Sequence, residues 1–265
     1  MTMKQNYDEA SLIQNYPLGM RYAMDDRVFK YARASPFPNW TVDTGGTPLQ
    51  MQFGAKSSLL QFVQDGAVVA TAVAGNQIVV TVAATDAARF LNNPAQPAGN
   101  GLIAENELAG GYICIWPAPG NFGYHRKILR NTATAVGGGA MTVTMDRPVP
   151  PIPPGSTASL RASDYAAVFS CDEAIPVVGI AQVQATALQY LWLQTWGPCW
   201  ATGSALVGSG ALFNNHQVVF GQNGSMQVHV PLADADNYAQ HAGYAMNGFW
   251  PIGTGGFGIF LQISP

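Results

Sequence analysis

The sequence predicts a mostly β protein, a β-sandwich or barrel-like body that carries an extended N-terminal arm. Short apolar or alternating runs recur along most of the chain and are separated by turn residues. Glycine and proline are frequent, with 29 and 18 residues. No stretch has a 3.6-residue apolar period long enough for a core helix. Because 48 % of the 265 residues are hydrophobic, the chain can bury a substantial core.

Residues 1–48 are predicted to form the extended arm and residues 49–265 the β body. The arm holds five of the twelve basic residues and is interrupted by prolines, which is typical of an extended segment. Arg21, Arg27 and Arg33 are its candidate contact residues.

Two finer features of the organisation are also predicted. One short helix is expected over about residues 7–14, because Asn6 followed by Glu9 resembles a capping pair. A possible boundary within the body lies near residues 92–110, where a loop rich in Pro, Gly and Asn interrupts the strand pattern.

Two hairpins are expected within the body. Residues 67–73 and 77–84 flank Gly75–Asn76, and both of these residues tolerate the positive φ of a tight turn. Residues 110–116 and 122–130 flank a turn rich in Pro and Gly. The other predicted strands cover residues 59–63, 140–146, 156–163, 165–170, 177–185, 188–196, 217–221, 225–230 and 257–264.

The charge distribution predicts extensive protein–protein contact. Residues 162–265 contain no Lys or Arg, and charged residues are 10 % of the chain against about 25 % in ordinary soluble domains. The stretch is rich in aromatic residues, whereas disordered tracts are poor in them. Soluble domains normally cover their surface with charges of both signs. We therefore expect a homo-oligomer, with a trimer as the favoured state.

The densest aromatic segment runs from Tyr190 to Trp200. Alternation along a strand would place Tyr190, Trp192 and Trp196 on one face and leucines on the other. A strand that is apolar on both faces is usually central in a sandwich or buried at a subunit interface, and we favour that interpretation. Stacking of these rings on a glycan is the alternative.

The only basic cluster of the predicted body contains Arg126, Lys127 and Arg130, next to His125. Such a patch is usually a solvated hairpin edge, where charge discourages edge-to-edge pairing. In an assembly it could instead contact acidic residues of a neighbouring subunit, for example Asp172 and Glu173.

Motifs for catalysis or for metal binding are not found. The sequence has no HExxH, CxxC, G-x-S-x-G or P-loop pattern, and the pairs Asp172–Glu173 and Asp234–Asp236 are interpreted as turn residues. We therefore expect no enzyme activity and no cofactor. The net charge of −3 argues against nucleic acid as a partner, and no apolar run approaches the ~18 residues of a membrane span.

Three cysteines, Cys114, Cys171 and Cys199, lie in apolar contexts and are predicted to be reduced, buried thiols. A single bridge from Cys199 to Cys114 or to Cys171 is the alternative. The N-terminus lacks the apolar region of a signal peptide, so synthesis in a cytosol is expected.

Several segments resemble a group of tailed-bacteriophage virion structural proteins. They are GGYICIWPAPGNFGYHRKILRN, AMTVTMDRPVPPIPPGSTASLRAS, PVVGIAQVQATALQYLWLQTWGPCW, FGIFLQISP and, in the arm, LGMRYAMDDRVFKYARAS. The most specific element is WLQTWGPCW. The resemblance implies an auxiliary capsid or decoration (cement) protein, located in the virion after assembly in the host cytoplasm. It implies the phage major capsid protein as partner and gives no catalytic residue.

The resulting expectation is a capsid decoration protein that stabilises the shell through subunit contacts. A head-fibre or tail-associated module that binds a receptor or a glycan is the first alternative. An enzyme such as a polysaccharide depolymerase is the second.

Overall fold

The structure is a computed structural model, and it divides the chain into two compact units. Unit 1 comprises Met1–Ser58 and Ala167–Pro265, and unit 2 comprises Leu59–Ala166. The structure describes residues 4–35, 49–57, 62–69, 75–88, 90, 101–119, 123–170, 175–203, 216–221, 223–229, 240–246 and 257–265.

Unit 1 is built on a ten-stranded antiparallel sheet. Its main path runs β10-β3-β11-β12-β16-β15-β13-β14, and the hairpin β1–β2 joins this path through pairing of β2 with β12. The strands are β1 (Arg21–Met24), β2 (Arg27–Arg33), β3 (Gly54–Ser57), β10 (Val168–Phe169), β11 (Val177–Ala181), β12 (Tyr190–Ala201), β13 (Gln217–Phe220), β14 (Met226–Val228), β15 (His241–Ala245) and β16 (Phe257–Gln262).

Two apolar clusters lie in unit 1. One is formed by side chains of β11–β16, and its fully buried members include Ile180, Val218, Ile259 and Leu261. The other is aromatic and has Phe29, Tyr31 and Trp192 at its centre. Burial of these large side chains supplies the hydrophobic stabilisation of the sheet.

Unit 2 is a closed six-stranded barrel with the strand order β4-β5-β8-β7-β6-β9. The barrel strands are β4 (Phe62–Val69), β5 (Gly75–Val82), β6 (Tyr112–Trp116), β7 (Tyr124–Asn131), β8 (Gly139–Val149) and β9 (Thr157–Arg161), and one short helix, α1, covers Ala84–Ala87. Its buried residues include Val80, Ile113, Ile128, Val143 and Leu160. Closure pairs every strand on both edges, which removes exposed sheet edges.

The mostly β fold class is confirmed, and the strands of both predicted hairpins are antiparallel partners. The turn expected at Gly75–Asn76 is wrong, because both residues belong to β5. Strands β4 and β5 are antiparallel partners with Val68 opposite Val80, and β6 pairs with β7 so that Cys114 lies opposite His125. The turn residues 70–74 lie outside the described residues. β3 and β15 were not predicted, because GAKS and HAGYA contain few of the β-branched residues that favour strands.

The predicted division into an arm and a body needs correction. The described residues of the first 48 form β1 and β2, which belong to the sheet of unit 1 together with residues 167–265. Phe29 and Tyr31 are fully buried, so this segment contributes to the core. The possible boundary near residues 92–110 is also not where the two units divide; they divide after Ser58 and after Ala166.

The helix predicted over residues 7–14 is absent. The Asn6–Glu9 pair does form, since the backbone N–H of Asn6 donates to Glu9 Oε2 at 3.2 Å, but it closes a turn. The backbone that follows pairs with β12 instead, where the N–H of Ser11 donates to the carbonyl oxygen of Tyr190 at 2.9 Å. In the described part of the chain, no helix has the length and apolar character needed to cross a membrane.

Candidate functional site

The long strand β12 organises the candidate site, because it pairs along one half with β2 and along the other with β16. Gln194 lies opposite Phe29 and Trp196 opposite Val28, so Thr195 is an extra residue in β12 and the register shifts there. The Gln194 amide Nε2 donates to the carbonyl oxygens of Trp196 at 3.1 Å and Pro198 at 2.7 Å, which holds the irregular segment in place.

Trp192 lies in the core, as the sequence predicts. Only 1 % of this residue is exposed, and its ring centroid lies 4.9 Å from that of Tyr31 and 5.1 Å from that of Tyr16. Its indole N–H donates to the carbonyl oxygen of Gln5 at 3.2 Å. Tyr190 is half-buried beside it and stacks on Tyr31.

Trp196 and Trp200 lie in different surroundings from Trp192, because the irregularity at Thr195 interrupts simple alternation. Trp196 is half-buried against Phe260, and Trp200 is 41 % exposed. The expected single row of Tyr190, Trp192 and Trp196 is therefore not formed. Burial of Trp196 at a subunit interface stays a prediction.

The exposed side of the sheet carries a set of aromatic and amide side chains, here called the aromatic face. Pro198 of β12, Phe260 of β16, Tyr244 of β15 and Gln217 of β13 are cross-strand partners in one row. Cross-strand partners point to the same side of a sheet. The aromatic face consists of Trp196, Pro198, Trp200, Gln217, His241, Tyr244, Phe260 and Gln262.

Residues that alternate with the aromatic face point into the core. Cys199, Val218, Ala245 and Ile259 are buried members of one apolar cluster. The sheet therefore has a buried side and, on the opposite side, a surface of exposed rings. Tyr244 is 43 % exposed, close to the value for Trp200.

The rings of the aromatic face contact one another. Tyr244 and Phe260 stack with a centroid separation of 5.2 Å and an interplanar angle of 3°, and Trp196 meets Phe260 edge-on at 5.8 Å. Gly243 permits this close packing of β15 on β16, because its φ is +146° and a Cβ there would overlap the carbonyl oxygen of Phe260. The rings form a pre-organised platform with favourable aromatic geometry.

Three polar side chains are linked across the same face. His241 Nδ1 lies 3.4 Å from Gln217 Nε2, and His241 Nε2 lies 3.4 Å from Gln262 Oε1. In this arrangement the Gln217 amide N–H donates to Nδ1 and the ring N–H at Nε2 donates to Gln262 Oε1. The amides and the imidazole thus add hydrogen-bonding capacity to the platform.

The aromatic face also lacks ionic side chains. None of the residues in the described strands β11–β16 is Asp, Glu, Lys or Arg. Depletion of charge together with enrichment in aromatic residues is the composition of the buried centre of a protein–protein interface.

The arginines predicted as contact residues in the N-terminal segment lie in the β1–β2 hairpin, outside the aromatic face. The Arg27 guanidinium lies 5.0 Å from the Tyr7 ring centroid and 5.8 Å from that of Phe29. Arg33 is opposite Tyr190, and Arg21 is exposed on β1. Arg27 stabilises the aromatic cluster through cation–π contacts.

The predicted basic cluster lies on β7 of unit 2. Arg126 donates to the carbonyl oxygens of His125 at 2.9 Å and Pro148 at 3.2 Å, and Arg130 Nε donates to Thr144 Oγ1 at 3.3 Å. The side chain of Lys127 is exposed, while its backbone N–H donates to Asp146 Oδ1. Two of the three basic side chains thus contact the barrel itself. The acidic partners suggested for them, Asp172 and Glu173, lie outside the described residues.

Cys114 and Cys199 are free thiols, and burial raises the pKa of both. For Cys199, which lies under the aromatic face, the pKa rises to about 12. Such a thiol is protonated and inert at neutral pH. The described residues include no group of three or more His, Cys, Asp or Glu that could hold a metal ion. Cys171, Asp234 and Asp236 lie outside the described residues.

The sequence identified only part of the aromatic face. Trp196 and Trp200 were candidates, whereas Tyr244, Phe260, His241 and the two glutamines were not. FGIFLQIS was predicted as a strand, but its pairing with β12 and β15 depends on long-range topology. Comparison of the chain with protein-family models, curated proteins and solved structures finds no match.

Proposed function

We propose that this protein is a virion structural protein of a tailed bacteriophage, a capsid decoration (cement) protein that self-associates through the aromatic face. The observation that carries the proposal is an exposed sheet surface of Trp, Tyr and Phe rings on strands without a charged residue. Its role is mechanical, in that subunit contacts stabilise the shell. The phage resemblance of the sequence supplies the setting, with assembly in the host cytoplasm and the major capsid protein as partner.

The occupant of the aromatic face in this proposal is a second copy of the chain. A charged partner surface would lose hydration there without finding an opposite charge, which costs free energy. The same uncharged face on another copy incurs no such cost. The exposed Trp200 and Tyr244 rings are the expected anchors of the contact, because aromatic residues contribute most strongly at interface centres.

Sedimentation velocity at micromolar concentration, in 50 mM and 500 mM salt, tests self-association. We expect the same oligomer at both salt concentrations, because the contact contains no ion pairs to be screened. The trimer expected from the sequence would sediment at about 84 kDa, three times the chain mass of 28.1 kDa. A monomer at both salt concentrations contradicts the proposal.

A matched pair of variants assigns the contact to the aromatic face. Trp200→Glu places a carboxylate in the contact and should dissociate the oligomer. Trp116→Glu is the control, because Trp116 is 43 % exposed, almost the same as Trp200, but belongs to the barrel. Equal behaviour of the two variants would remove the aromatic face from the proposal.

The capsid role has its own test. Purified protein should co-sediment with shells assembled from the major capsid protein encoded near its gene, and Trp200→Glu should reduce the occupancy of the shells. Absence of such a capsid gene, or shells that do not retain the protein, contradicts the decoration role even if self-association holds.

A second candidate function is receptor or glycan binding by a head-fibre or tail-associated module. The observation that favours it is the stacked Tyr244–Phe260 pair flanked by the Gln217 and Gln262 amides, which can hydrogen-bond to hydroxyl groups. In that case the protein sediments as an elongated trimer that binds glycan, and glycan binding is lost on Trp200→Ala or Tyr244→Ala.

A further inference from the structure

A cavity of about 390 Å³ lies on unit 2, and the proposed function does not use it. Its lining residues come from β4, β6, β7 and β9 and are Val63, Gln64, Tyr112, Cys114, His125, Ser159, Leu160 and Arg161. This volume is within the range of small-molecule sites.

The strand register explains how these side chains meet. Cys114 lies directly between His125 of β7 and Ser159 of β9, and Tyr112 lies opposite Arg161 of β9. Ile113, between Tyr112 and Cys114, is buried inside the barrel, and so are the lining residues Val63 and Leu160. Because Tyr112 and His125 are exposed, the cavity opens at the outer surface of the barrel, next to these two buried side chains.

An aromatic pair forms one wall of the cavity. The rings of Tyr112 and His125 stack with centroids 5.1 Å apart and an interplanar angle of 11°. Tyr112 is 47 % exposed, so part of its ring surface is available to a ligand. An exposed aromatic ring provides an apolar surface for the C–H groups of a ligand.

Apart from His125, whose ring forms the wall with Tyr112, the polar groups of the cavity carry little net charge. Gln64 offers an amide and Ser159 a hydroxyl, while the Arg161 guanidinium is paired with the Asp164 carboxylate. Lys127, beside Tyr112 on β7, is exposed and does not line the cavity. Burial raises the pKa of the Cys114 thiol, so this group is also neutral near pH 7.

The combination of a ring wall with neutral hydrogen-bonding groups selects for a particular ligand chemistry. A purely apolar ligand would leave the Gln64 and Ser159 groups without partners. An anionic ligand would compete with Asp164 for Arg161. A neutral polyhydroxylated ring satisfies both requirements, since its C–H face packs on an aromatic ring and its hydroxyls donate and accept hydrogen bonds. We infer that this cavity is a binding site for a neutral saccharide. The inference is independent of the decoration role and of the aromatic face.

Ligand-observed NMR and calorimetry test this inference. The probes are glucose, galactose, N-acetylglucosamine and their β-1,4-linked disaccharides cellobiose, lactose and chitobiose, with galacturonic acid and glucose 6-phosphate as charged comparators. At least one neutral probe should bind one site per chain with a Kd on the order of 1 mM, since a ligand with few non-hydrogen atoms gains little binding free energy. The inference is overturned if no neutral probe saturates the protein up to about 50 mM, a concentration well above that Kd. It is also overturned if a charged comparator binds more tightly than the neutral probes.

Variants assign the binding to the cavity. Tyr112→Ala should weaken binding by about tenfold or more, while Tyr112→Phe, which keeps the ring, should retain most of it. Gln64→Ala and Ser159→Ala should each weaken it by roughly 2–10-fold through loss of one hydrogen bond. Gln64 is exposed, so its variant stays informative if Tyr112→Ala does not fold.

Two controls separate this site from the others. Trp116→Ala removes an exposed ring on the same strand as Tyr112 that does not line the cavity, and binding should be unchanged. Trp200→Ala should also leave binding unchanged. Loss of binding in either control, with Tyr112→Ala unaffected, would place the saccharide elsewhere and refute the assignment. Failure of self-association in sedimentation would leave this result untouched.

Discussion

The aromatic cluster around Trp192 makes a sharp prediction about the stability of unit 1. Trp192 is 1 % exposed and is surrounded by the rings of Tyr16, Tyr22 and Tyr31, and its indole N–H donates to the carbonyl oxygen of Gln5. Trp192→Ala removes the ring contacts and the hydrogen bond together. The N-terminal turn residues would then lose their main attachment to β12.

The expected magnitude follows from these contacts. A buried Trp→Ala change costs about 3–5 kcal/mol, and loss of the hydrogen bond places the value in the upper part of that range, about 4–5 kcal/mol. Whole domains are stable by about 5–15 kcal/mol, so the variant would be close to unfolding. Trp192→Phe keeps most of the apolar contact and should cost about 1–2 kcal/mol, mainly for the lost indole N–H.

Urea unfolding monitored by far-UV circular dichroism measures these differences. Trp116→Ala is the control, because a side chain that is 43 % exposed should cost less than about 1 kcal/mol on replacement. If Trp192→Ala costs no more than Trp116→Ala, then Trp192 does not hold the N-terminal segment on β12, and the description of this cluster is wrong.

Four further predictions concern the same unit. Deletion of residues 1–33 should unfold unit 1, because Phe29 and Tyr31 are fully buried. A truncated chain that keeps its β-sheet dichroism and protease resistance would contradict this and would support the separate arm predicted from the sequence. Gly197→Ala should lower the melting temperature more than Gly137→Ala. Both glycines have a similar positive φ, +90° and +84°, but only at Gly197 would a Cβ overlap a backbone oxygen, that of Asp26. We expect the two variants to differ in the free energy of unfolding by more than about 1 kcal/mol. Cys199 should resist a disulfide reagent at pH 8 in the folded protein and react after unfolding, because burial raises its pKa to about 12 in the folded state. Rapid labelling of Cys199 in the native Cys114→Ser variant would contradict this. The same raised pKa implies that stability decreases as pH rises from about 9 towards 12, where the unfolded thiol ionises and the folded one does not, and Cys199→Ala should reduce that slope.

The sequence was informative about strands and less so about their partners. Period-2 patterns located β12 and β16, and turn residues located the β6–β7 hairpin, because these features depend on neighbouring residues. The discontinuous unit 1 depends on contacts between segments more than 100 residues apart, such as β2 with β12. Local patterns do not specify such contacts.

The β1–β2 hairpin has a clear signature in the sequence, although the segment is predicted there as part of an extended arm. RYAM and RVFKYAR flank Asp25–Asp26, a two-residue loop in which Asp25 has φ +53°, a conformation that Asp tolerates. The nearby prolines and charges favoured an extended arm. The burial of Phe29 and Tyr31 shows that alternation outweighs charge density as a predictor here.

The register shift at Thr195 could not be predicted in the same way. It arises where β12 changes its partner from β2 to β16, and the Gln194 amide bonds to carbonyl groups of the irregular segment. As a result Trp192 and Trp196, four residues apart, have different surroundings. The sequence thus identified both tryptophans as candidates but did not show that Trp192 is a core residue and Trp196 a half-buried surface residue.

The absence of charge in strands β11–β16 has a physical consequence for self-association. Residues close to a symmetry axis, two-fold or three-fold, meet copies of themselves on the other subunits. Lysines or glutamates in such positions would repel, whereas the amides of Gln217 and Gln262 each contain a donor and an acceptor and can pair with copies of themselves. Aromatic rings are likewise compatible with their own kind. A surface of rings and amides is therefore suited to contact with a second copy. The Trp200→Glu substitution would place a carboxylate in every subunit around the contact. This is why Trp200→Glu should disrupt the oligomer far more than an equally exposed Trp116→Glu does.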